Sequence, residues 1–466
     1  MNIIRRIRSK LKRSFDGIKN EKLKLNLLQA LPFWVASIFT GLIAVGYSRL
    51  FSFAEEGSAY ILHSHQWFIF FLLPLCFIIS WWIVRKFAPF ANGSGIPQVM
   101  AAIELANPRT NEKVNKLLSL RIIIVKIVSS MFMALGGAIT GREGPTIQIA
   151  GSVFRKINEW LPQWYPKISK RNMIMAGAAA GLAAAFNTPL GGMVFAVEEL
   201  TKTHISYFKS ALFTAVIIAG LTAQGFLGPY LYLGYPDVSN LSTWMFPSVL
   251  LVAIIAGLAG SGMSKLMLVI TKWKRSFKLP WQHVCYLIAG GLIIACLAYF
   301  VDYGILGSGK DIMRRVLFTN DKYSAAYVPL LKMTGSAISF TSGGVGGVFA
   351  PALSSGASIG SVLAGWFHLS TSDSDLLILC GMVAFLTGVT RTPFTAAILV
   401  LEMTDRHNVI FYLMLAGMIA GIVSMIIDKH SLYDHLKFQY IHDLRDEKPT
   451  ETNIEVEKAD EEKEDY

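Results

Sequence analysis

The stretch GREGP at residues 141–145 determines how the rest of this chain is interpreted. Residues 121–140 before it are apolar apart from Arg121 at their start, Lys126 and a few small hydroxyl side chains, and a membrane-compatible run, 146–152, follows it. An ionisable pair, Arg142 and Glu143, between two such runs lies near membrane depth, where charge is costly and function is the default expectation. Pro145 suits the first turn of a helix. The stretch therefore predicts a helix N-terminus that attracts an anion, with Glu143 beside it. The alternative is a re-entrant turn in which the Arg142–Glu143 pair is only structural.

The composition is typical of a polytopic α-helical membrane protein. Of the 466 residues, 53% are hydrophobic and only 16% are charged, and the mean hydropathy is +0.47. Several apolar runs, such as 172–200 and 328–367, are too long or too interrupted by Gly and Pro for one straight span. A bilayer tolerates such breaks only where protein buries them or water reaches them. Broken and re-entrant helices are therefore expected.

The distribution of charge predicts topology. A basic segment, residues 1–26, precedes the first apolar run and predicts a cytoplasmic N-terminus by the positive-inside rule. The next loop is expected on the outside because it carries Glu55, Glu56, His63 and His65 without Lys or Arg. The net charge of +12 is attributed to topology and lipid headgroups, and nothing in the pattern indicates nucleic-acid binding. Residues 441–466, rich in Glu, Lys and Asp, are expected to be a disordered cytoplasmic tail.

An internal repeat is visible in two long segments. AGAAAGLAAAFNTPLGGMVFAVEEL, from residue 176, aligns without gaps with CGMVAFLTGVTRTPFTAAILVLEMT, from residue 380, so that Glu198 matches Glu402. Upstream, Pro145 has a partner in Pro351. Corresponding Gly/Pro-interrupted segments in two halves are typical of inverted-repeat transporters, whose half-helix N-termini meet near the midplane.

The predicted fold is therefore an all-α polytopic membrane protein with two inverted-topology repeats and broken, re-entrant helices. The transport domain is expected over residues 27–440. Its repeats are placed at about 30–235 and about 245–435.

Three motifs resemble the CLC family of chloride channels and anion/proton exchangers. GSGIP at 93–97, GREGP at 141–145 and GGVFAP at 346–351 occur in the order of the family's filter motifs, and the resemblance covers about residues 30–435. It implies a CLC-like fold and a homodimer with a separate pathway in each subunit. The lack of a large cytoplasmic regulatory domain after Tyr440 resembles prokaryotic members, which implies a bacterial inner membrane with both termini cytoplasmic.

The resemblance also implies an anion site built from neutral donors. The Ser94 hydroxyl matches the group that contacts the central anion, and the Tyr433 phenol matches the filter tyrosine. Backbone amides of Gly144, Val348 and Phe349 match further donors. Without this resemblance, a serine directly before a helix, such as Ser94, is more typical of an N-cap than of a ligand contact.

Two carboxylates are implied to carry protons. Glu143 matches the gating glutamate, and Glu199 matches the internal proton-transfer glutamate of exchangers. Without the family, Glu199 is more typical of a helix-terminal carboxylate at a wet interface. Glu198 is expected to be structural because Glu402 repeats it in a half that has no proton role in the family.

The expected function is chloride/proton antiport, with chloride favoured by Ser94 and protons and the lipid bilayer as the other partners. A passive CLC-type chloride channel is the alternative, although channels of the family commonly lack the internal glutamate. An enzyme is not expected, since no HExxH motif is present and the nine histidines lie mainly in loops and flanks. The four cysteines are scattered singly, and no metal site, disulfide or cofactor is predicted.

Overall fold

The computed structural model describes residues 19–107, 110–201, 209–228, 231–242, 245–319 and 321–446. These residues form helices and loops, and the only extended pairing among them is two isolated β-bridges. Eight of the described helices are long and apolar enough to cross a membrane. The prediction of an all-α, multi-pass membrane protein is therefore confirmed.

The first half contains α1 (Glu21–Ser64), α2 (Ile69–Phe87), α3 (Ile96–Glu104), α4 (Asn111–Leu117), α5 (Leu120–Leu135), α6 (Glu143–Trp160), α7 (Lys170–Phe186), α8 (Pro189–Phe195) and α9 (Lys209–Leu227). The second half contains α10 (Met245–Arg275), α11 (Pro280–Phe300), α12 (Lys310–Phe318), α13 (Tyr327–Thr341), α14 (Phe349–Trp366), α15 (Thr371–Thr390), α16 (Pro393–Thr404), α17 (Ile410–Ile427) and α18 (Leu432–Asp446). A π-helical segment, Ala196–Thr201, continues α8, and short 3₁₀ turns are Gln66–Phe68, Pro89–Ala91, Tyr303–Ile305 and His407–Val409.

The helices of the two halves correspond in order. The α3 and α12 helices have nine residues each, and α6 and α14 have 18 each. The α6 helix packs on α7 as α14 packs on α15, and α9 packs on α1 as α17 packs on α10. Gly141 and Gly347, which occupy equivalent positions, exchange two backbone hydrogen bonds of 2.9 and 2.7 Å in an antiparallel bridge. Such reciprocal pairing of equivalent residues places a pseudo-two-fold axis at this bridge, as expected for inverted repeats.

Two glutamates join the halves in a second reciprocal contact. The Glu198 carboxylate accepts hydrogen bonds from the backbone N–H groups of Phe394 and Thr395, at 3.1 and 2.7 Å, where α16 begins. Glu402 accepts in the same way from the first turn of α8, at 3.0 and 2.6 Å. Each carboxylate thus satisfies N–H groups that a helix start leaves without partners. This contact supports the structural role expected for Glu198.

Small residues bring the broken helices close together. A Cβ built on Gly181 of α7 would lie 2.6 Å from the Cβ of Ala150 on α6. In the other half, a Cβ on Gly356 would collide with the carbonyl oxygen of Gly381. Backbone approach of this kind is how helices pack in lipid. It holds the starts of α6 and α14 in position.

One predicted loop is wrong. Glu55, Glu56 and His63 belong to α1, which runs for 44 residues without a break. The helix continues through these polar residues because Glu55 finds a partner, the backbone N–H of Ser308 at 3.2 Å. Their charge pattern therefore marks the end of a long helix.

The predicted tail begins later than expected. The α18 helix extends through residues 441–446, which were expected to be disordered. Ile441 and Leu444 are buried, while Asp443 on another face of the helix forms an ion pair of 2.6 Å with Arg275. Burial of these two apolar side chains stabilises the helix beyond residue 440. Residues 1–18 of the basic segment and 447–466 of the tail lie outside the described residues.

Candidate functional site

The three motif loops meet through their backbones. The Gly93 N–H donates to the Gly344 carbonyl oxygen at 2.8 Å, and the Gly346 N–H donates to the Gly93 carbonyl oxygen at 3.2 Å. The Gly141–Gly347 bridge adds the third loop. Helices α3, α6 and α14 begin directly after these contacts. Their N-terminal N–H groups, which have no intrahelical partners, are therefore gathered in one region.

Glycine is required where these loops touch. Gly93 and Gly95 have positive φ angles of 59° and 101°, which side chains rarely adopt. A Cβ on Gly144 would collide with the Ser94 hydroxyl oxygen. The loop that carries Ser94 therefore lies directly against the backbone of GREGP, and the predicted residues Ser94 and Gly144 are neighbours.

Ser94 does not cap its helix. The N-cap residue of α3 is Gly95, which makes no side-chain capping bond, and Ser94 is buried. Among the described residues, no hydrogen-bond partner reaches the Ser94 hydroxyl. The N-cap interpretation of Ser94 is therefore wrong, because the positive φ of Gly95 turns the chain and the Ser94 side chain lies against Gly144.

Tyr433 is the tyrosine that joins the site. It is fully buried, and its ring stacks on Phe349 with centroids 6.3 Å apart and planes at 12°. Its hydroxyl lies close enough to Ser94 for the two groups to influence each other, yet within the described part of the chain it has no partner of hydrogen-bond geometry. An unpaired buried hydroxyl costs about 1–3 kcal/mol. Two such hydroxyls side by side suit a site for an anionic acceptor.

Tyr440 has a different role. Its hydroxyl donates to Asn92 Oδ1 at 2.7 Å and accepts from Gln98 Nε2 at 3.1 Å. Gln98 Nε2 also donates to the backbone carbonyl of Asn92 at 2.7 Å. This network braces the chain just before Gly93 and leaves Tyr440 no free hydrogen for a ligand.

Val348 and Phe349 supply the start of α14. Val348 is the N-cap residue, Phe349 is the first helical residue, and both are buried. Their backbone N–H groups are among those that a helix start leaves without intrahelical acceptors. The contact of Phe349 with Tyr433 places this helix start beside the two hydroxyls.

Glu143 lies buried at the first position of α6. Its Oε1 accepts a hydrogen bond of 3.3 Å from the Tyr232 hydroxyl, and its Oε2 has no partner among the described atoms. A Cβ on Gly141 would collide with Oε2, so the carboxylate folds back over its own loop. Arg142 instead donates to the backbone carbonyl of Ser48 at 3.0 Å. The two charged side chains thus have separate partners, which argues against a purely structural Arg142–Glu143 pair.

Tyr232, which contacts Glu143, and its neighbours Phe186 and Lys310 are not predicted from the sequence. The ring of Tyr232 packs on Phe186 at 5.2 Å, and Phe186 packs on Phe349 at 6.2 Å. Lys310 Nζ lies 4.7 Å from the centre of the Tyr232 ring. Tyr232 lies in the segment GPYLYLGYPD, whose three tyrosines look alike, so no local signal distinguishes it. An aromatic row thus runs from Tyr232 at the Glu143 carboxylate to Tyr433 beside Ser94.

Lys310 begins α12, which is not one of the eight candidate spans. Burial, with smaller repulsions from Arg314 and Arg142, lowers the pKa of Lys310 to about 8. Its charge is therefore sensitive to moderately alkaline conditions.

Glu199 lies in the π-helical segment after α8 and is 4% exposed. The wide π turn directs Glu198 toward α16 while its neighbour Glu199 is buried. Such turns are rare and occur frequently at functional sites. Both Glu199 and Glu143 lie within electrostatic range of Tyr433. Residues 202–208, which follow Glu199, are outside the described residues.

A buried lysine supports the Ser94 loop. Lys126 is fully buried, and its ammonium donates to the backbone carbonyls of Ala91 at 2.9 Å and Gly93 at 2.8 Å. These bonds hold the loop from behind. They also place a cation close to Ser94, although within the described part of the chain this cation makes no hydrogen bond to the Ser94 or Tyr433 hydroxyl.

A cavity of about 410 Å³ reaches the same loops from one side of the molecule. Its lining includes Gly93, Gly343 and Tyr440, together with the cations Arg85 and Lys274. Because cations outnumber carboxylates in this lining, the cavity favours anions near Gly93.

Comparisons with known proteins agree with this geometry. The family described as voltage gated chloride channel matches residues 76–425. The H(+)/Cl(-) exchange transporters ClcA of Salmonella typhi and Salmonella typhimurium are each 28% identical to the chain over 424 residues, 86% of this chain and 86% of the relative.

Solved structures of similar fold include a slow cyanobacterial Cl-/H+ antiporter, with a TM-score of 0.77 and 24% identity over 89% of this chain and 98% of that one. A CLC-type fluoride/proton antiporter matches with a TM-score of 0.73 and the same identity and coverage. At these identities the structural likeness shows the fold alone.

Proposed function

The chain belongs to the voltage-gated chloride channel family, and from this membership we propose that it exchanges chloride, or a similar monovalent anion, for protons. The curated relatives, named as H(+)/Cl(-) exchange transporters, support this proposal over 86% of the chain. The observation that carries it is the buried Glu143 carboxylate at the junction of the three motif loops. Members of this family are transporters, so the enzyme alternative falls away.

The anion binds to neutral donors. The hydroxyls of Ser94 and Tyr433 and the N–H groups of Gly144, Val348 and Phe349 replace water around it. Such donors stabilise a dehydrated anion without a fixed cation in direct contact, so the anion is also released. The unpartnered state of the two buried hydroxyls supports this assignment.

Glu143 competes with the anion. Deprotonated, its carboxylate occupies an anion position at the start of α6 and blocks it; protonated, it loses its attraction for the helix N-terminus and swings away. Burial favours the protonated form, while the amides favour the charged form, so the carboxyl group is suited to exchange protons. Anion and proton therefore move in opposite directions. Tyr232 holds the closed carboxylate through its 3.3 Å hydrogen bond.

Glu199 transfers protons between Glu143 and the cytoplasm. Its burial next to a π turn and its electrostatic proximity to Tyr433 support this role. A proton route that ends on Glu199 is separate from the basic cavity at Gly93, through which the anion moves.

The protein is proposed to be a homodimer in a bacterial inner membrane, with both termini cytoplasmic. Exposed apolar side chains on α16 and α17, such as Phe394, Phe411 and Ile422, suit contact with lipid or with a second copy.

The passive chloride channel is the second candidate, because the anion site alone would serve either function.

Liposomes loaded with chloride distinguish the two candidates. Wild type is expected to take up protons as chloride leaves and to drive protons against their own gradient, whereas Glu143→Ala passes chloride without protons. External pH and chloride are recorded together. Chloride movement with no proton flux in wild type would replace the exchanger with the channel.

A further inference from the structure

Three potential metal ligands meet where α17 ends and α18 begins. Asp428, His430 and His435 each offer one ligand atom, and these atoms lie within 4.8 Å of one another. His435 Nε2 is 2.9 Å from Asp428 Oδ2, and the two imidazole rings lie 5.6 Å apart at 71°. No metal site is predicted from the sequence, because the four cysteines are scattered singly and no HExxH motif is present. This cluster lies outside the anion and proton sites described above.

The ligand set suits zinc(II). Two imidazoles and one carboxylate, with water in the fourth position, form a common tetrahedral zinc environment. Bonds of about 2.0–2.2 Å in a tetrahedron place donor atoms about 3.4 Å apart. The Asp428–His435 pair is already inside that distance. His430 is exposed, so its ring is free to move the short distance that closes the site.

The backbone supports the same arrangement. Asp428 Oδ1 accepts the His430 N–H at 2.9 Å, which leaves Oδ2 directed at His435. Hydrogen bonds of this kind orient ligating carboxylates. The opposing factor is Arg391, whose guanidinium donates to the backbone carbonyl of Asp428 at 3.2 Å and to Ser424 at 3.1 Å. The positive charge of Arg391 repels a bound metal ion, but the carbonyl oxygens that accept its hydrogen bonds offset part of this charge.

We propose that Asp428, His430 and His435 bind zinc(II) and that the metal restrains the start of α18, slowing anion movement past Tyr433. Tyr433 lies between the two histidines in sequence, on the first turn of α18, and its ring stacks on Phe349. A metal that clamps both histidines to the end of α17 fixes this turn. The effect on transport rests on the proposed anion pathway, whereas metal binding does not.

The proposed metal binding is tested by titrating purified full-length protein with Zn²⁺ and with Co²⁺, whose visible absorption reports tetrahedral coordination. Wild type is expected to bind one equivalent per chain, and His430→Ala and His435→Ala to lose it. His442→Ala, on the same helix but outside the cluster, is the matched control and retains binding. Absence of saturable binding in wild type, or unchanged binding in His430→Ala, would overturn the site.

The proposed effect of the metal on transport is measured as chloride efflux from liposomes with and without Zn²⁺ on both sides of the membrane. Efflux is expected to fall several-fold in wild type, to recover with EDTA, and to be insensitive to Zn²⁺ in His430→Ala, whose exposed side chain is removed without disturbing the core. Binding without a change in efflux would refute the restraint on Tyr433. Chloride efflux is measured independently of proton flux, so this test remains valid even if the protein does not exchange chloride for protons.

Discussion

The same loop is built twice in this molecule, and the two copies differ in what faces them. Gly93-Ser94-Gly95 precedes α3, and Gly307-Ser308-Gly309 precedes α12. The glycines have positive φ in both copies, 59° and 101° in the first and 66° and 89° in the second. In the second copy the Ser308 N–H donates to the Glu55 carboxylate at 3.2 Å. In the first, the Ser94 hydroxyl has no partner among the described residues.

Each copy is also held from behind by a buried lysine. Lys126 donates to the carbonyl of Gly93 at 2.8 Å, and Lys332 donates to that of Gly307 at 3.0 Å. The scaffold of the loop is therefore common to both halves. The difference teaches that a fixed carboxylate, Glu55, satisfies the second loop, while the first keeps an unpartnered hydroxyl, which the proposed anion site requires.

The largest expected difference is between the two glutamates. Glu143→Ala should abolish proton flux while chloride continues to move, because the coupled carboxylate is lost. Glu55→Ala should keep proton coupling, because the carboxylate of Glu55 accepts its hydrogen bond from Ser308 of the second loop. The proton-to-chloride ratio in liposomes measures both. Loss of coupling in Glu55→Ala would show that the second loop takes part in transport.

The next comparison is between the serines. Ser94→Ala should weaken chloride binding by about ten-fold or more, since a hydrogen bond to a charged acceptor contributes about 1.5–3 kcal/mol. Ser308→Ala should leave the affinity unchanged. Calorimetric titration of chloride into detergent-solubilised protein gives the two values. Equal losses in both variants would contradict the assignment of the anion to the first loop alone.

The lysines should behave alike. Lys126→Met and Lys332→Met each remove the donor to buried carbonyls, and each unsatisfied group costs about 1–3 kcal/mol of stability. Both variants should therefore unfold at lower temperature by similar amounts. Thermal unfolding in detergent tests this, with Lys156→Met, on the surface of α6, as control. A large effect in only one variant would mean that the two loops are braced unequally.

The smallest effect concerns Lys310 in the second half. Because burial lowers the pKa of Lys310 to about 8, it is charged below that pH and neutral above it. In the Glu143→Ala background, which removes the proton step, chloride flux should fall by about two-fold as the pH on the Lys310 side rises through about 8, since a cation that attracts the anion is lost. Adding Lys310→Met should flatten this profile. An unchanged profile would assign the pH dependence to another group.

Much of the site follows from the order of three motifs. GSGIP, GREGP and GGVFAP predict Ser94, Glu143, Val348 and Phe349 as site residues, and the three loops meet in the structure. Tyr232 carries no comparable signal, because its hydrogen bond to Glu143 links residues 89 positions apart in sequence. The local sequence pattern also could not assign an anion-binding role to Ser94, since N-capping is the usual role of a serine before a helix.

The sequence alone is sufficient for the membrane class, the repeat and the broken helices, because hydropathy, Gly/Pro breaks and repeated segments are local properties of the chain. Only the tertiary structure decides which copy of a repeated loop stays open. Glu55 and Ser308 are far apart in sequence, as are Glu198 and Thr395, and their hydrogen bonds exist only because helices from both halves pack together. Partner choice among buried polar groups depends on distance and burial, which long-range packing sets.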